Sequence, residues 1–130
     1  MSKQYGANQY KTTAVATANR GQILIMLYEA AIRHTKRATE CIEKKNVPGK
    51  GAAIGKVHDI ITELVTTLDF NQGGEVAREL ERLYNFIAEQ LLKANMENST
   101  EKLKSVQRIL ETLLDGWRGA VEQVNKGASK

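Results

Sequence analysis

The sequence predicts an all-α fold, an antiparallel up-and-down four-helix bundle with a mobile N-terminal segment, and three observations predict it. The chain has one proline and only 5% aromatic residues beside abundant Leu, Ala, Glu, Lys and Ile, a balance that favours helices over sheets. Apolar side chains recur three and four residues apart along four successive stretches, the period of a helix with one buried face. The connections between the stretches are only a few residues long, so consecutive helices must be neighbours that alternate in direction. At 130 residues the chain has the length of a single domain and can bury a core without disulfide or metal staples.

Residues 1–18 are rich in Gln, Asn, Thr, Ala and Tyr without a sustained period, and are expected to be a flexible segment outside the bundle of residues 19–125. The first helix is expected over 19–45: Asn19 caps it, Gln22 reaches back, and Leu24, Leu27, Ala31, Thr35, Ala38 and Ile42 face inward. "NVPGKG" (46–51) breaks it, because Pro48 and two glycines interrupt a helix. The second helix, 51–70, carries Ile54, Val57, Ile61, Leu64 and Leu68 at alternating intervals of three and four, the seam of packed antiparallel helices, with Ile60 and Val65 beside it. "NQGG" (71–74) is the next turn. The third helix, 75–95, presents Val76, Leu80, Leu83, Ile87, Leu91 and Ala94. Asn98 with Glu101 opens the fourth, 99–125, which presents Leu103, Val106, Leu110, Leu113, Trp117 and Val121, and residues 126–130 form a disordered tail.

Charge and composition exclude several classes of function. The net charge of +4 arises from 19 basic and 15 acidic residues interspersed along the chain. The densest basic cluster, Arg33, His34, Lys36 and Arg37, has no aromatic platform beside it and reads as a solvated helix face, so no nucleic acid is expected. Cys41 is the sole cysteine, which rules out an internal disulfide and fits a reducing compartment. No signal-peptide core is present and nowhere do about 18 apolar residues run together, so the chain is expected in the cytoplasm without membrane insertion.

No cofactor, metal or enzymatic activity is expected either. A di-iron bundle needs Glu-x-x-His pairs, but Ala31 precedes His34 by three and Gly55 precedes His58 by three. A haem needs only a single His or Met ligand, but His34 lies in a charged run and His58 beside Asp59, so both histidines are read as solvent-facing and no haem is expected. No nucleophile-histidine arrangement and no phosphate-binding glycine loop is legible.

What remains is an apolar surplus. In "GQILIMLY" (21–28) six apolar side chains follow one another and point all around the helix, and one core cannot cover them all. Ile25 and Ile32 lie one heptad apart away from the seam, Tyr84 and Phe86 flank the third stripe, and Ile109 and Leu114 flank the fourth. Either the N-terminal segment folds back to complete the core, or an apolar groove takes another protein's amphipathic segment. Wide stripes would equally build a homodimer interface or a generic helical adaptor.

Three blocks carry a resemblance. "YKTTAVATANRGQILIMLYEAAI" (10–32), "LDFNQGGEVARELERLYNFIAEQLLKAN" (68–95) and "LLDGW" (113–117) follow in order the patterns of the FliS family of flagellar secretion chaperones, the flagellin export chaperones. The resemblance spans about residues 5–122. It implies a bacterial cytoplasmic, non-enzymatic bundle. Such a protein binds the disordered C-terminal segment of new flagellin, prevents early polymerisation and delivers its client to the flagellar type III export gate. It also implies an N-terminal cover that lies where the client later binds: Tyr10 and Val15 would supply it, and Ile25, Tyr28 and Ile32 would be shielded. Client contacts are expected at Ile60, Leu64, Leu80, Tyr84, Leu113 and Trp117. Asn19-Arg20-Gly21 departs from the family's usual proline and acidic residues at the start of the first helix, and Gly21 weakens that turn by roughly 1 kcal/mol relative to Ala.

Overall fold

Four helices in sequence build the protein: α1 (Ser2–Glu43), α2 (Val47–Thr66), α3 (Phe70–Glu97) and α4 (Thr100–Ala128). The computed structural model describes the backbone of residues 2–128 and the side chains of residues 20–126. Helix α1 packs along α2 and α4, and α3 packs along α2 and α4, so the helices stand at the corners of a square with α1 and α3 on one diagonal. Each helix runs antiparallel to both of its neighbours, as the short connections require.

Local chemistry moves several boundaries from those expected. Helix α1 is continuous through Arg20, Gly21 and Gln22, and the side chain of Asn19, the expected cap, lies outside the described residues. It closes where Lys45 adopts φ 58° and the Asn46 amide donates back to the Cys41 carbonyl at 2.8 Å. Helix α2 then begins four residues earlier than expected. Asn46 accepts a hydrogen bond from the Gly49 amide, and Pro48 sits in the first turn, where its missing N–H costs nothing. At the far end of α3, Asn98 is not the cap of α4 but a left-handed residue (φ 53°) that terminates α3, with the Ser99 amide donating to the Ala94 carbonyl at 3.1 Å. Ser99 caps α4 instead, its hydroxyl accepting from the Lys102 amide at 3.1 Å.

The "NQGG" stretch is a turn held inside a longer helical run. Asp69 caps Phe70 onward by accepting from the amides of Asn71 (3.0 Å) and Gln72 (3.1 Å), giving one helical turn. Gly74 then takes φ 49° and ψ −121°, a kink in a region open almost solely to glycine, before α3 resumes.

The core consists of seams from all four helices: Tyr28, Ala31 and Ala38; Ile54, Val57, Ile61 and Leu64; Tyr84, Ile87 and Leu91; Leu103, Val106 and Leu110. Thr35 is fully buried, and its hydroxyl donates to the Ala31 carbonyl at 2.7 Å, so no polar atom is stranded there. In α3 the buried set is Ala77, Tyr84, Ile87, Leu91 and Ala94 with Leu80 partly covered, while Val76 is 64% exposed and Leu83 half-buried, contrary to expectation. Spacings of three, four, three, four and three from Ala77 to Ala94 keep one straight stripe, whereas Leu83, Ile87 and Leu91 would drift around the helix.

Lys50 is the buried cation of the far end. Its Nζ donates to the Asn95 carbonyl (2.9 Å) and to Asn98 Oδ1 (2.7 Å), placing a positive charge on the last turn of α3.

Two glycines separate propensity from backbone geometry. Gly74→Ala is expected to lower unfolding free energy by about 1–3 kcal/mol through strain alone, because no atom crowds the added Cβ. Gly55→Ala, in the interior of α2 with nothing near its Cβ, is expected to raise it by about 0.5–1 kcal/mol. Urea unfolding of both variants checks the opposite signs.

Candidate functional site

The bundle is closed at one end and open at the other. Where the α2–α3 connection and the start of α3 meet the middle of α1 and the end of α4, a cavity of about 610 Å³ opens, walled by Leu24, Leu27, Leu68, Leu80, Trp117 and Val121. Its size is that of a ligand pocket, and its walls are overwhelmingly apolar. Gly21 sets one rim. A Cβ there would stand 2.3 Å from the Val121 side chain, so glycine lets α1 approach α4 at the mouth.

Tyr84 lines the inner part of the cavity and reaches across the square to Tyr28, with which it shares a buried hydroxyl-to-hydroxyl hydrogen bond. Burial pushes both phenols above their ordinary pKa. For Tyr28 the Tyr84 hydroxyl and the nearby Trp117 indole act in the opposite direction, while for Tyr84 the Tyr28 hydroxyl adds to the rise. Trp117 Nε1 is itself buried without a partner at full hydrogen-bond geometry. Two of the lining residues, Tyr84 and Trp117, thus carry a polar group within an otherwise apolar wall, with the Tyr28 hydroxyl behind them in the core.

A second depression of about 490 Å³ lies between α3 and α4, lined by Val76, Leu80, Leu83, Phe86 and Leu113 with Glu75, Glu79 and Arg82 at its edge. Val76 and Leu80 belong to both depressions, so one apolar surface runs from the end cavity onto the α3–α4 side. Phe86 and Val76 are among the exposed large apolar side chains of the molecule. A shallower pocket between α1 and α4 is lined by Ile25 and Val121 among polar groups.

The residues singled out from the sequence divide accordingly. Leu80, Tyr84 and Trp117 line the end cavity, and Leu80 and Leu113 the α3–α4 depression. Leu64 is fully buried in the core and Ile60 is partly buried against it, and neither lines these depressions. Tyr28 and Ile32 are core residues covered by the bundle itself, while Ile25 is partly buried. Tyr10 and Val15 lie outside the described side chains. His58 is exposed and His34 half-buried. Val76, Phe86 and Gly21 were not among the expected site residues. The signal for the first two was the same surplus of apolar positions, read one residue out of register.

Among the described residues, no group of three or more His, Cys, Asp or Glu side chains is placed to hold a metal. No helix among them is long and apolar enough to cross a membrane.

Residues 1–124 match the sequence profile of the family described as Flagellar protein FliS. The flagellar secretion chaperone FliSB of Pseudomonas aeruginosa is 34% identical over 105 residues, covering 81% of this chain and 83% of that protein. The flagellar secretion chaperone FliS of Salmonella typhimurium is 33% identical over 107 residues, covering 82% and 79%. A crystal structure of a bacterial flagellar chaperone superposes with a TM-score of 0.78 at 21% identity, over 93% of this chain and 98% of that one, and thus shares its fold.

The tyrosine pair generates a stability test. Tyr84→Phe strands the Tyr28 hydroxyl and is expected to cost about 1–3 kcal/mol, whereas Tyr28→Phe/Tyr84→Phe together cost less than the sum of the single changes. Folding holds both phenols protonated, so their contribution is complete below the ordinary value of 10.0 and is lost as pH rises beyond it. Urea unfolding between neutral pH and pH 11 should show that loss in the parent and a smaller one in the double variant.

Proposed function

This chain belongs to the FliS family, whose named relatives are flagellar secretion chaperones, and from that premise we propose that its client is the disordered C-terminal segment of flagellin. The observation that carries the reading is the apolar surface continuous from the end cavity to the α3–α4 side, with Val76 and Phe86 exposed on it. A segment too poor in apolar residues to fold alone gains by being laid on such a surface, at roughly 25 cal/mol per Å² buried, and loses its chain entropy in doing so. The two terms oppose each other. The complex is therefore specific yet releasable, as a protein delivering a client to the type III export gate requires. Sequestering the segment in the bacterial cytoplasm withholds from other flagellins the apolar face they would pack against, which prevents premature polymerisation. Leu80, Tyr84, Leu113 and Trp117 are the expected client contacts together with Val76 and Phe86, and Tyr10 and Val15 belong to an N-terminal cover of the same surface.

Isothermal titration with a peptide of about forty residues from the C-terminus of the host's own flagellin, a length sufficient to wrap a groove, is the test. One-to-one binding with a negative heat-capacity change is expected, weakened at least tenfold by Val76→Asp/Phe86→Asp, two exposed positions at which the fold is retained. Absence of binding to any flagellin of the host overturns the reading.

A further inference from the structure

The side of the bundle opposite the α3–α4 depression carries a cluster of cations, and among the described residues none of them forms an ion pair, although Glu40 and Asp59 stand within one turn of Lys36, Arg37 and Lys56. From Ala30 to Thr39 helix α1 contains Arg33, Lys36 and Arg37 and no acidic residue. All three side chains are exposed, and Lys56 of α2 extends the cluster across the α1–α2 seam. Half-buried His34 lies among them, and its pKa is lowered first by burial and then by the positive charges of Lys56, Arg33 and Arg37, which marks a concentrated positive potential. Glu29, one turn before Arg33, is committed elsewhere: it pairs with Arg118 of α4 at 2.9 Å. Glu40 and Asp59 are the nearest remaining acids along the two helices, and among the described residues no ion pair joins either to these cations.

In the other half of the molecule four exposed cations of α3 and α4 are paired within their own helix, Glu75 with Arg78, Glu79 with Arg82, Glu89 with Lys93 and Glu122 with Lys126, while Lys104 and Arg108 of α4 are exposed with no ion pair among the described residues. The α1–α2 side also lacks large exposed apolar side chains between Glu29 and Asn46 and between Pro48 and Glu63. Insertion into a lipid surface would draw on such side chains and a single-stranded nucleic acid on stacking aromatics, and this face offers neither. Arg33, Lys36 and Arg37 stand three and four residues apart on one helical stripe, the spacing at which an antiparallel helix presents carboxylates.

We propose that the face formed by Arg33, Lys36, Arg37 and Lys56 is a second docking surface, which takes an acidic helical segment of a partner protein. Because it occupies the opposite side of the helical square from the α3–α4 depression, it stays open while that depression is filled. The proposal rests on the client reading only for what fills the depression. A chaperone built this way engages two proteins at once, one by burial and one by charge.

The test uses the full chain and a fluorescein-labelled helical peptide of about sixteen residues with glutamates three and four apart, followed by anisotropy. A DNA oligonucleotide of equal charge and vesicles containing phosphatidylglycerol serve as rival probes. The expected result is peptide binding that weakens steeply between low and high salt and falls at least tenfold in Arg33→Glu/Arg37→Glu. Lys104→Glu/Arg108→Glu, an equal change in net charge on α4, should alter it less than twofold. Saturation with the flagellin peptide should leave it unchanged. Equal loss in the two double variants, tighter binding of DNA or vesicles, displacement by the flagellin peptide, or no peptide binding at low salt each overturns the proposal. Should flagellin fail to bind while the acidic peptide does so as described, the client reading falls and this surface stands.

Discussion

The contact between the Tyr28 and Tyr84 hydroxyls is the constraint from which the rest of the molecule follows. These residues belong to α1 and α3, which face one another along the diagonal of the square and are not adjacent helices. Only long side chains span that distance. Two phenols meeting head to head fill it with rings and share one hydrogen bond, in which one hydroxyl donates and the other accepts, away from water, where an unpaired hydroxyl is costly. Towards the far end the seams are built partly of small residues, Ala31, Thr35, Ala38, Ala53 and Ala94, and the helices close upon one another. On the other side of the tyrosines the walls part and the cavity opens.

A closed end and an open end follow from this division, and each is maintained by its own chemistry. Lys50 ties α2 to the last turn of α3, so the α3–α4 turn is held by a buried cation as well as by its Asn98 and Ser99 caps. At the open end the helices are held at their margins. Gly21 allows α1 to meet α4 at Val121, and Gly74 bends the chain so that the turn capped by Asp69 does not continue across the cavity mouth. Apolar side chains at an opening of this kind cannot bury one another completely. Exposed Val76 and Phe86 are the surface consequence of a cavity whose wall continues around α3.

The polar and apolar halves of the surface are correspondingly separated. Helices α3 and α4 offer hydrophobic area and pair four of their exposed cations within their own helix. Helices α1 and α2 bury their inward stripes in the core, leave Ile23 and Met26 of α1 and Val47 of α2 exposed, and carry the cation cluster between. Hydrophobic burial is insensitive to moderate salt while charge pairing is screened within about 10 Å at 0.1 M, so the two sides respond to different conditions.

Much of the architecture was legible in the order of residues. Four stripes at spacings of three and four, punctuated by "NVPGKG", "NQGG" and Asn98, were enough to read the number of helices and their alternation, because period and punctuation are local properties, although Pro48 and the Gly73-Gly74 pair fall just inside α2 and α3. The family was legible too, from three blocks that the sequence comparisons match. What the order of residues left open was which of two neighbouring apolar positions turns inward. Tyr84 and Val76 exchanged places relative to expectation, since a stripe of surplus hydrophobics is the same in sequence whether its neighbour is another helix or solvent. That choice belongs to packing across the bundle. The hydroxyl of Tyr28 finds its partner 56 positions along the chain, and no periodicity within one helix encodes such a distance.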